Sequence, residues 1–184
     1  MAAARLFTAL VPPAVVRTEL AGLAAALAGV RWTPAENIHL TLRFIGESDD
    51  DKTGRYLEAL ARVRVEPFLL PVGGAGVFPT RGAAKVIWTG VGRGHTRLHQ
   101  LRQRVDEALL AVDAGLAMTS FHPHFTLGRL DAQHDGKAVG RYVTRHQEFE
   151  APPFRVEEFH LLASELRPGR PPAYRVVRSF SLMG

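Results

Sequence analysis

One short pattern occurs twice in this sequence and restricts how the chain can fold. Residues 39–42 and 124–127 both read His-x-Thr-Leu. Alternate residues of a β-strand point to the same face of a sheet. Each copy therefore predicts a strand with an imidazole beside a hydroxyl on one face (His39 with Thr41, His124 with Thr126) and apolar side chains on the other. Two such strands that face each other would form a cleft suited to acid–base chemistry at a phosphate.

The surroundings of the two motifs repeat as well. Hydrophobic periodicity and turn residues predict strands at 6–11, 38–45, 68–77, 86–91, 121–130, 154–163 and 174–182, and helices at 12–29, 48–64, 98–112 and 137–144. Each half of the chain thus reads strand, helix, motif strand, helix, strand, which is typical of a degenerate internal duplication. No linker separates the halves, so we expect residues 1–184 to form a single bilobal domain of two pseudo-repeated halves that places the motifs opposite one another.

Composition limits the class of protein. A chain of 184 residues that is 46% hydrophobic and 22% charged is long enough for one well-packed globular domain. It contains no cysteine, which excludes disulfides, thiolate metal sites and a cysteine nucleophile and fits a reducing compartment. No uncharged apolar run approaches the roughly 18 residues of a membrane span. We therefore expect a cytoplasmic monomer with no membrane partner.

The charge balance favours a polyanionic partner. The net charge is +5, and 20 of the 23 basic residues are arginine. Arginine pairs with phosphate through two parallel hydrogen bonds, so a basic surface of this kind attracts RNA. A genome with a bias toward arginine and alanine codons would produce the same composition without a functional reason, and both readings stay open.

Four stretches of the chain resemble one protein family. Residues 5–7, residues 31–46 around the first motif, residues 121–129 around the second, and the ending from 161 to 174 are similar to the 2H phosphoesterase superfamily. Within it, the likeness is greatest to the bacterial RNA 2′,3′-cyclic phosphodiesterases, also called 2′-5′ RNA ligases. The resemblance covers nearly the whole chain, and no motif residue is missing.

The resemblance implies a fold and a reaction. The expected fold is α+β and bilobal, with two mainly antiparallel sheets, outer helices, a pseudo-two-fold relation and a central cleft. The expected reaction is hydrolysis of a 2′,3′-cyclic phosphate at an RNA end to a 2′-phosphate, without a cofactor or metal. Attack by a 5′-hydroxyl instead of water would make a 2′-5′ linkage by the same route. The partner is then RNA or an oligonucleotide with a cyclic end, and small nucleotides are possible substrates.

The residues of the motifs suit this reaction. In-line opening of a cyclic phosphate needs one group that takes a proton from water and another that protonates the leaving oxygen, and imidazole can do either near neutrality. By resemblance, His39 is assigned as general acid and His124 as general base, although the sequence alone does not separate the roles. Thr41 and Thr126 would donate hydrogen bonds to the non-bridging phosphate oxygens.

A cation must offset the charge that develops on the phosphate. Arg129 is the candidate that the resemblance implies, but strict alternation puts it on the face opposite His124, so it needs a bulge at Gly128. Arg43 has the correct parity with His39 and is the second candidate.

Three alternatives remain at this point. The pair His122 and His124 has a spacing that can bind a metal, but no acidic residue lies at a convincing ligand spacing. Phe7 and Trp32 can stack on a base or pack in the core. The chain as a whole could be a non-catalytic nucleotide- or RNA-binding module, or a cyclic phosphodiesterase of small nucleotides.

Overall fold

The computed structural model describes residues 4–92, 95–117, 119–165 and 172–184. The strands of this part of the chain are β1 (Ala4–Leu10), β2 (Val30–Trp32), β3 (Leu40–Ser48), β4 (Phe68–Phe78), β5 (Val86–Val91), β6 (His124–Leu130), β7 (Glu150–Val156), β8 (Glu158–Glu165) and β9 (Ala173–Ser181). Its α-helices are α1 (Ala14–Ala21), α2 (Asp50–Leu60), α3 (Thr96–Val112) and α4 (Gly136–Arg145). A short 3₁₀ turn, Ala35–Asn37, precedes the first motif.

The strands form one antiparallel sheet with the two motif strands at its centre and three further strands on each side. The order is β7-β4-β5-β6-β3-β1-β8-β9, and β2 pairs separately with β6. The two motif strands, β3 and β6, lie side by side at the centre and are joined by a single residue pair, Leu40 with Phe125. Each motif strand is the inner strand of its own lobe. On one side β6 is followed by β5 and β4, and on the other side β3 is followed by β1 and β8. This confirms the expected α+β fold, with the two sheets joined edge to edge.

The two lobes do not coincide with the two halves of the sequence. Strand β4 closes the first half in sequence but pairs with β5 and β7 in the other lobe. Strands β8 and β9, from the end of the chain, complete the lobe of β1. The first half therefore contributes β4 to the opposite lobe and the second half contributes β8 and β9, so neither lobe can be cut out as a continuous segment.

The helices cover the face of the sheet opposite the cleft and bury its apolar side. Helices α2 and α3 pack on each other and α3 packs behind β3, whereas α1 packs against β7 and α4 against β4. The interior is mostly aliphatic with some aromatic rings, and the side chains of Leu40, Leu60, Ile87, Leu98 and Leu101 are all fully buried within it. None of the helices in the described ranges combines the length and apolar character that a bilayer crossing requires.

The first helix is shorter than the sequence predicts. Apolar periodicity continues from Val16 to Leu27, but the helix ends at Ala21 and Gly22 caps it. Beyond that point, side chains from elsewhere take the backbone carbonyls: Tyr142 donates to the carbonyl of Leu23 (3.0 Å) and Trp32 to that of Ala25 (2.8 Å). Tertiary hydrogen bonds thus replace the helical ones, and the predicted helical end at Gly29 is wrong.

Most other boundaries agree with the predicted ones to within a few residues. The predicted strand 154–163 is two strands, β7 and β8, and β2 was not predicted. Ser48 and Asp51 resemble a capping box in the sequence, but Asp49 caps α2, because its carboxylate accepts the backbone N–H of Lys52 at 2.8 Å. The adjacent glycines at 73 and 74 predict a break or bulge in β4, and the register with β5 shifts there. The prolines and glycine of residues 167–172 predict a loop, and most of that stretch lies outside the described residues.

Candidate active site

A cleft of about 580 Å³ lies where the two motif strands meet. Side chains of both motifs line it, namely His39, Thr41, His124 and Thr126. Arg129 also lines it. The structure therefore brings together five of the six residues that the sequence proposes for the site, and it separates the sixth, Arg43.

The two imidazoles are held in the same way. Nδ1 of His39 lies 2.7 Å from the backbone carbonyl oxygen of Asn37, and Nδ1 of His124 lies 2.6 Å from that of His122. A carbonyl can only accept, so each Nδ1 carries a proton and donates it. In the neutral imidazole this leaves the Nε2 lone pair as the free proton acceptor. Each histidine is thus fixed in the tautomer that a general base needs.

Aromatic rings fix the orientation of each imidazole. His39 lies between Phe7 (5.1 Å between ring centroids) and Tyr174 (4.9 Å, edge to face). His124 lies edge to face with Phe78 at 5.0 Å. Packing of this kind restricts the side-chain torsions, because every rotation of the ring meets a neighbour. It also removes water from the imidazoles.

Both imidazoles are easier to deprotonate than a histidine in water. Burial lowers the pKa of His39 from 6.5 to about 4; the hydrogen bond to Asn37 opposes this, and the charges of His124 and Arg129 add to it. Burial is also the main cause that lowers the pKa of His124, and its hydrogen bond to the His122 carbonyl opposes it. At neutral pH both rings are therefore uncharged in the free protein, and an anion that binds between them would favour their protonation.

A β-bulge follows the threonine of each motif. In β6, Thr126 pairs with Trp88 and Gly128 pairs with Ile87, which leaves Leu127 as the extra residue. In β3, Thr41 pairs with Ala9 and Arg43 with Thr8, which leaves Leu42 extra. An extra residue reverses the alternation of the side chains that follow it. The fifth residue after each motif histidine, rather than the fourth, then faces the cleft.

The second bulge brings Arg129 to the cleft, where simple alternation would have put it on the other face. The bulge lies at Leu127, one residue before the expected position at Gly128. Gly128 instead allows β2 to approach closely, since a Cβ there would lie 3.0 Å from Val30 and 3.2 Å from the ring of Trp32. The charge of Arg129 acts on both imidazoles and on Tyr174.

The prediction that Arg43 shares a face with His39 is wrong, and the first bulge is the reason. The Arg43 side chain is 1% exposed and points into the helical layer. Its Nη1 lies 3.2 Å from Asp106 Oδ1 of α3, and Nη2 donates to the carbonyl of Ala117 at 2.7 Å. Asp106 also pairs with Arg102 at 2.6 Å, and Arg102 donates to the carbonyl of Leu42 at the bulge itself. Arg43 is therefore a structural residue behind the site.

Comparison with known proteins shows the family of this chain. The chain matches the family of LigT-like phosphoesterases over residues 11–88 and 92–173. This chain belongs to that family. Among its curated relatives is a Thermus thermophilus protein named RNA 2′,3′-cyclic phosphodiesterase, which is 35% identical over 98% of this chain and 91% of its own length. An Archaeoglobus fulgidus protein of the same name is 32% identical over 88% of this chain and 87% of its own.

Solved structures of similar proteins share the whole architecture of this LigT-like phosphoesterase. A crystal structure of a Thermus thermophilus protein superposes with a TM-score of 0.80 and 27% identity over 98% of both chains. The crystal structure of E. coli LigT complexed with 3′-AMP gives a TM-score of 0.76 and 27% identity over 99% of both chains. The likeness therefore extends to both lobes.

The cleft of the LigT-like phosphoesterase also contains an aromatic residue that sequence reasoning missed. Phe44 is 70% exposed and lines the cleft beside Phe7, at 5.9 Å between ring centroids. Strict alternation from Leu40 and Leu42 predicts that Phe44 lies on the apolar face, which is wrong because the bulge at Leu42 moves it to the cleft. The repeat itself holds the signal that could have found it, because Phe44 and Arg129 are each five residues after a motif histidine.

The remaining sequence candidates have structural roles or lie at the edge of the cleft. Phe7 is 3% exposed and packs under His39, and Trp32 packs against Tyr142 while it donates to Ala25, so both serve packing. The His122 ring is exposed and lies near Phe78. Across the described part of the chain, no group of three or more His, Cys, Asp or Glu side chains is placed to hold a metal ion.

Proposed function

We propose that this protein hydrolyses the 2′,3′-cyclic phosphate at the 3′ end of an RNA to a 2′-phosphate by paired-histidine acid–base catalysis. One observation carries the proposal: two imidazoles, each anchored through Nδ1 to a backbone carbonyl, line one cleft together with two threonines and an arginine. The names of the curated relatives support the same substrate.

The reaction can be written with these groups alone. His124 Nε2 takes a proton from water as the water oxygen bonds to phosphorus. The bond between phosphorus and the ribose 3′-oxygen breaks on the opposite side, and His39 Nε2–H protonates that oxygen. The products are a 2′-phosphate and a 3′-hydroxyl, and the histidines have exchanged protonation states. A later proton transfer through solvent restores them.

Negative charge develops on the non-bridging oxygens of the phosphate during the reaction, and positive charge or hydrogen-bond donors must stabilise it. Arg129 supplies a positive charge in the cleft, and the hydroxyls of Thr41 and Thr126 can donate to the same oxygens. Preorganised donors of this kind contribute most where water is excluded, and the aromatic rings around His39 exclude it here. We therefore propose a reaction that needs no metal and no cofactor.

We assign His39 as general acid and His124 as general base, as the family resemblance implies. In the free protein burial lowers the pKa of His39 to about 4. His39 can act as the acid only after it gains a proton, and the negative charge of the bound phosphate diester favours that gain. Substrate binding and proton uptake are therefore coupled in this proposal.

RNA is the favoured substrate class, and two related activities belong to the same site. The net charge of +5 attracts a polyanion. E. coli LigT has been crystallised with 3′-AMP, which supports nucleotide binding in such a cleft and keeps small cyclic nucleotides as possible substrates. A 5′-hydroxyl that takes the place of water would open the same cyclic phosphate, break the same bond to the 3′-oxygen and form a 2′-5′ linkage, so ligation is the proposed ring opening with a different nucleophile.

The test is turnover of adenosine 2′,3′-cyclic phosphate in the presence of EDTA. We expect conversion to the 2′-nucleotide, and a loss of at least about 100-fold in kcat for His39→Ala and for His124→Ala, as general acid–base catalysis typically contributes. His134→Ala is the matched control, because its Nδ1 also bonds a backbone carbonyl (Asp131, 2.6 Å) but its ring lies outside the cleft.

Three outcomes would reject parts of the proposal. Equal activity of the two cleft variants and the wild type would reject the histidine mechanism. Dependence of the activity on an added metal would reject the metal-free reaction. Tight binding of the nucleotide without turnover would favour the alternative of a non-catalytic binding module.

A further inference from the structure

One exposed face of helix α4 carries three positive charges at regular spacing. Lys137, Arg141 and Arg145 follow one another at every fourth position, so they share a face of the helix, and all three are exposed. Among the described residues, none of the three forms an ion pair. Exposed arginines on the other helices are paired, since Arg55 and Arg104 each contact an acid one helical turn away.

Helix α4 would be more stable without this face. Positive charges four residues apart repel each other, and Lys137 lies in the first turn, where the helix dipole disfavours a cation. Asp135 is the N-cap, and its carboxylate accepts the backbone N–H groups of Lys137 and Ala138. Gly140 is a poor helix former in mid-helix, and no packing requires it, because a Cβ there would meet nothing within 4 Å. Losses of local stability without a structural gain are typical of functional sites.

The same face forms a shallow groove. Its lining consists of Lys137, Gly140, Arg141, Thr144 and Arg145. Because Gly140 has no side chain, a ligand can approach the helix backbone between the cations, and the Thr144 hydroxyl is available there as a donor. No residue of this groove lines the central cleft. The groove therefore offers an anion a place to bind outside the candidate active site.

The spacing of the cations favours a chain of phosphates. Positions four apart on a helix are separated by about 6 Å along its axis, so the three cations form a row about 12 Å long. A lipid surface fits less well, because the apolar side chains of this helix, Val139 and Tyr142, are buried against the domain and none remains to insert between lipids. We infer that this face of α4 binds the sugar–phosphate backbone of RNA.

Helix α4 lies in the lobe that contains Arg129. The turn at 131–135 joins it directly to β6, the strand of Arg129. Tyr142 packs against Trp32 at 5.3 Å between ring centroids, and Trp32 belongs to β2, which pairs with β6. An RNA whose 3′ end lies in the cleft can therefore continue on a basic surface of the same lobe. This continuation rests on the proposed function and specifies its substrate as an RNA longer than the nucleotide in the cleft.

The first experiment measures binding without catalysis. The probe is a fluorescein-labelled oligouridylate of about 12 nucleotides with a 3′-hydroxyl end, followed by fluorescence anisotropy. The variant replaces Lys137, Arg141 and Arg145 together by glutamine. We expect its Kd to be about 10-fold higher or more at about 0.1 M salt, and the slope of log Kd against log salt to fall by about 2, since each phosphate contact contributes about 0.7 in single strands.

A second triple variant is the matched control. It carries Arg55→Gln, Arg104→Gln and Arg155→Gln, whose guanidinium groups are exposed and pair with carboxylates at 3.4, 2.9 and 3.2 Å. Each triple variant lowers the net charge of +5 by three. A difference between the two therefore reports the position of the charges and not their sum, and the control should keep nearly the wild-type Kd and salt slope.

Gly140→Ala tests the approach of the RNA to the helix backbone. Alanine is the better helix former, so the urea midpoint should rise. Its methyl group occupies the space between the cations, so RNA binding should become several-fold weaker. Wild-type affinity in this variant would overturn the close approach at Gly140.

The second experiment measures turnover of two substrates: uridine 2′,3′-cyclic phosphate and the same oligouridylate with a 2′,3′-cyclic end. We expect the triple variant of α4 to keep the wild-type kcat/KM on the mononucleotide. On the oligonucleotide its kcat/KM should fall by about the factor by which RNA binding weakens. Equal losses on both substrates would overturn the continuation of the substrate onto α4.

The remaining outcomes separate the RNA surface from the reaction. Equal losses of RNA binding in the two triple variants would overturn the surface, because net charge alone would then explain the binding. Binding of the wild type to phosphatidylserine vesicles but not to the oligouridylate would overturn RNA as its ligand. Weaker RNA binding in the α4 variant, with no turnover of either substrate by the wild type, would refute the proposed function and support the surface. The replaced side chains are exposed, so the variants should stay folded, and their urea midpoints check this.

Discussion

Removal of the Asp106 carboxylate should destabilise this protein more than removal of an exposed carboxylate does. Asp106 lies between two buried guanidinium groups, 3.2 Å from Arg43 and 2.6 Å from Arg102. The side chains of the two arginines are 1% and 8% exposed. In Asp106→Asn the shape is kept, but two positive charges are left in the interior without a counter-charge.

The magnitude follows from the burial. Breaking a buried ion pair by removal of one partner costs about 3–5 kcal/mol, mostly because the remaining charge stays desolvated. For a domain of this size each kcal/mol lowers Tm by about 2–4 °C. We therefore expect Asp106→Asn to lower Tm by about 6–20 °C, and to remove a large fraction of a total stability that is typically about 5–15 kcal/mol.

The assay is urea unfolding monitored by circular dichroism, with the midpoint and the slope fitted separately. The control is Glu107→Gln, one residue further along α3, where the exposed carboxylate pairs with Arg104 at 2.9 Å. Exposed pairs of this kind contribute little, so its midpoint should stay close to that of the wild type.

Two results would refute this reasoning. One is a midpoint for Asp106→Asn that falls no further than that of Glu107→Gln, which would mean that water already solvates the cluster. The other is that Arg43→Met lowers the free energy of unfolding by as much in the Asp106→Asn background as in the wild type. If the unpaired arginine is the source of the loss, the two substitutions must be coupled, by about 0.5–3 kcal/mol for residues in one network.

Three further predictions concern the chemistry. Arg129→Gln should lower kcat by about 100-fold or more with little change in the urea midpoint, whereas Arg43→Met should lower the midpoint; equal effects on both quantities would contradict the separation of their roles. His39→Ala should lose less activity on a nitrophenyl phosphodiester, whose leaving group needs no proton, than on the cyclic phosphate, and His124→Ala should lose similar activity on both. The free enzyme needs one protonated and one neutral imidazole, and burial lowers the pKa of His39 to about 4 and also lowers that of His124. Therefore kcat/KM should fall as pH rises above the higher of the two pKa values, which lies below 6.5. It should also fall as pH drops below about 4, the pKa of His39. A constant kcat/KM between pH 4 and 8 would refute this.

The sequence correctly predicts the two motif strands, but strand alternation predicts the faces of their side chains only as far as the bulge in each strand. Alternation correctly puts His39 with Thr41 and His124 with Thr126, because no bulge lies between the members of each pair. It fails at Leu42. Nothing in that residue indicates a bulge, whereas the glycine at 128 gave a reason to expect one in the other strand. The placement of Arg43 and Phe44 therefore required the pairing of β3 with β1, which is a contact between distant segments.

Local sequence patterns likewise do not predict the exchange of strands between the lobes. Periodicity predicts strands at 68–77 and 154–163; the structure forms the first as β4 and divides the second between β7 and β8. Periodicity contains no information on the partner of a strand, which is decided by burial against segments far away in sequence. The same limit explains α1, where the periodic stretch continues past Gly22 but side chains from 32 and 142 take the carbonyls that a helix would use. Tertiary hydrogen bonds outcompete a weak helical preference there.

The asymmetry of the cleft bears on which histidine is the general acid. Two equivalent imidazoles cannot decide by themselves which is the acid, since a substrate bound in the reverse orientation would exchange their roles. Phe44 and Arg129 break this equivalence. Phe44 lies on the strand of His39 and Arg129 on the strand of His124, so a nucleotide bound in one orientation meets different side chains from one bound in the other. If the ribose 3′-oxygen lies on the side of His39, in-line attack brings the water to the side of His124, and His39 is then the acid. The leaving-group experiment decides between the two orientations: a smaller loss for His124→Ala than for His39→Ala on the nitrophenyl phosphodiester would show that the roles are reversed.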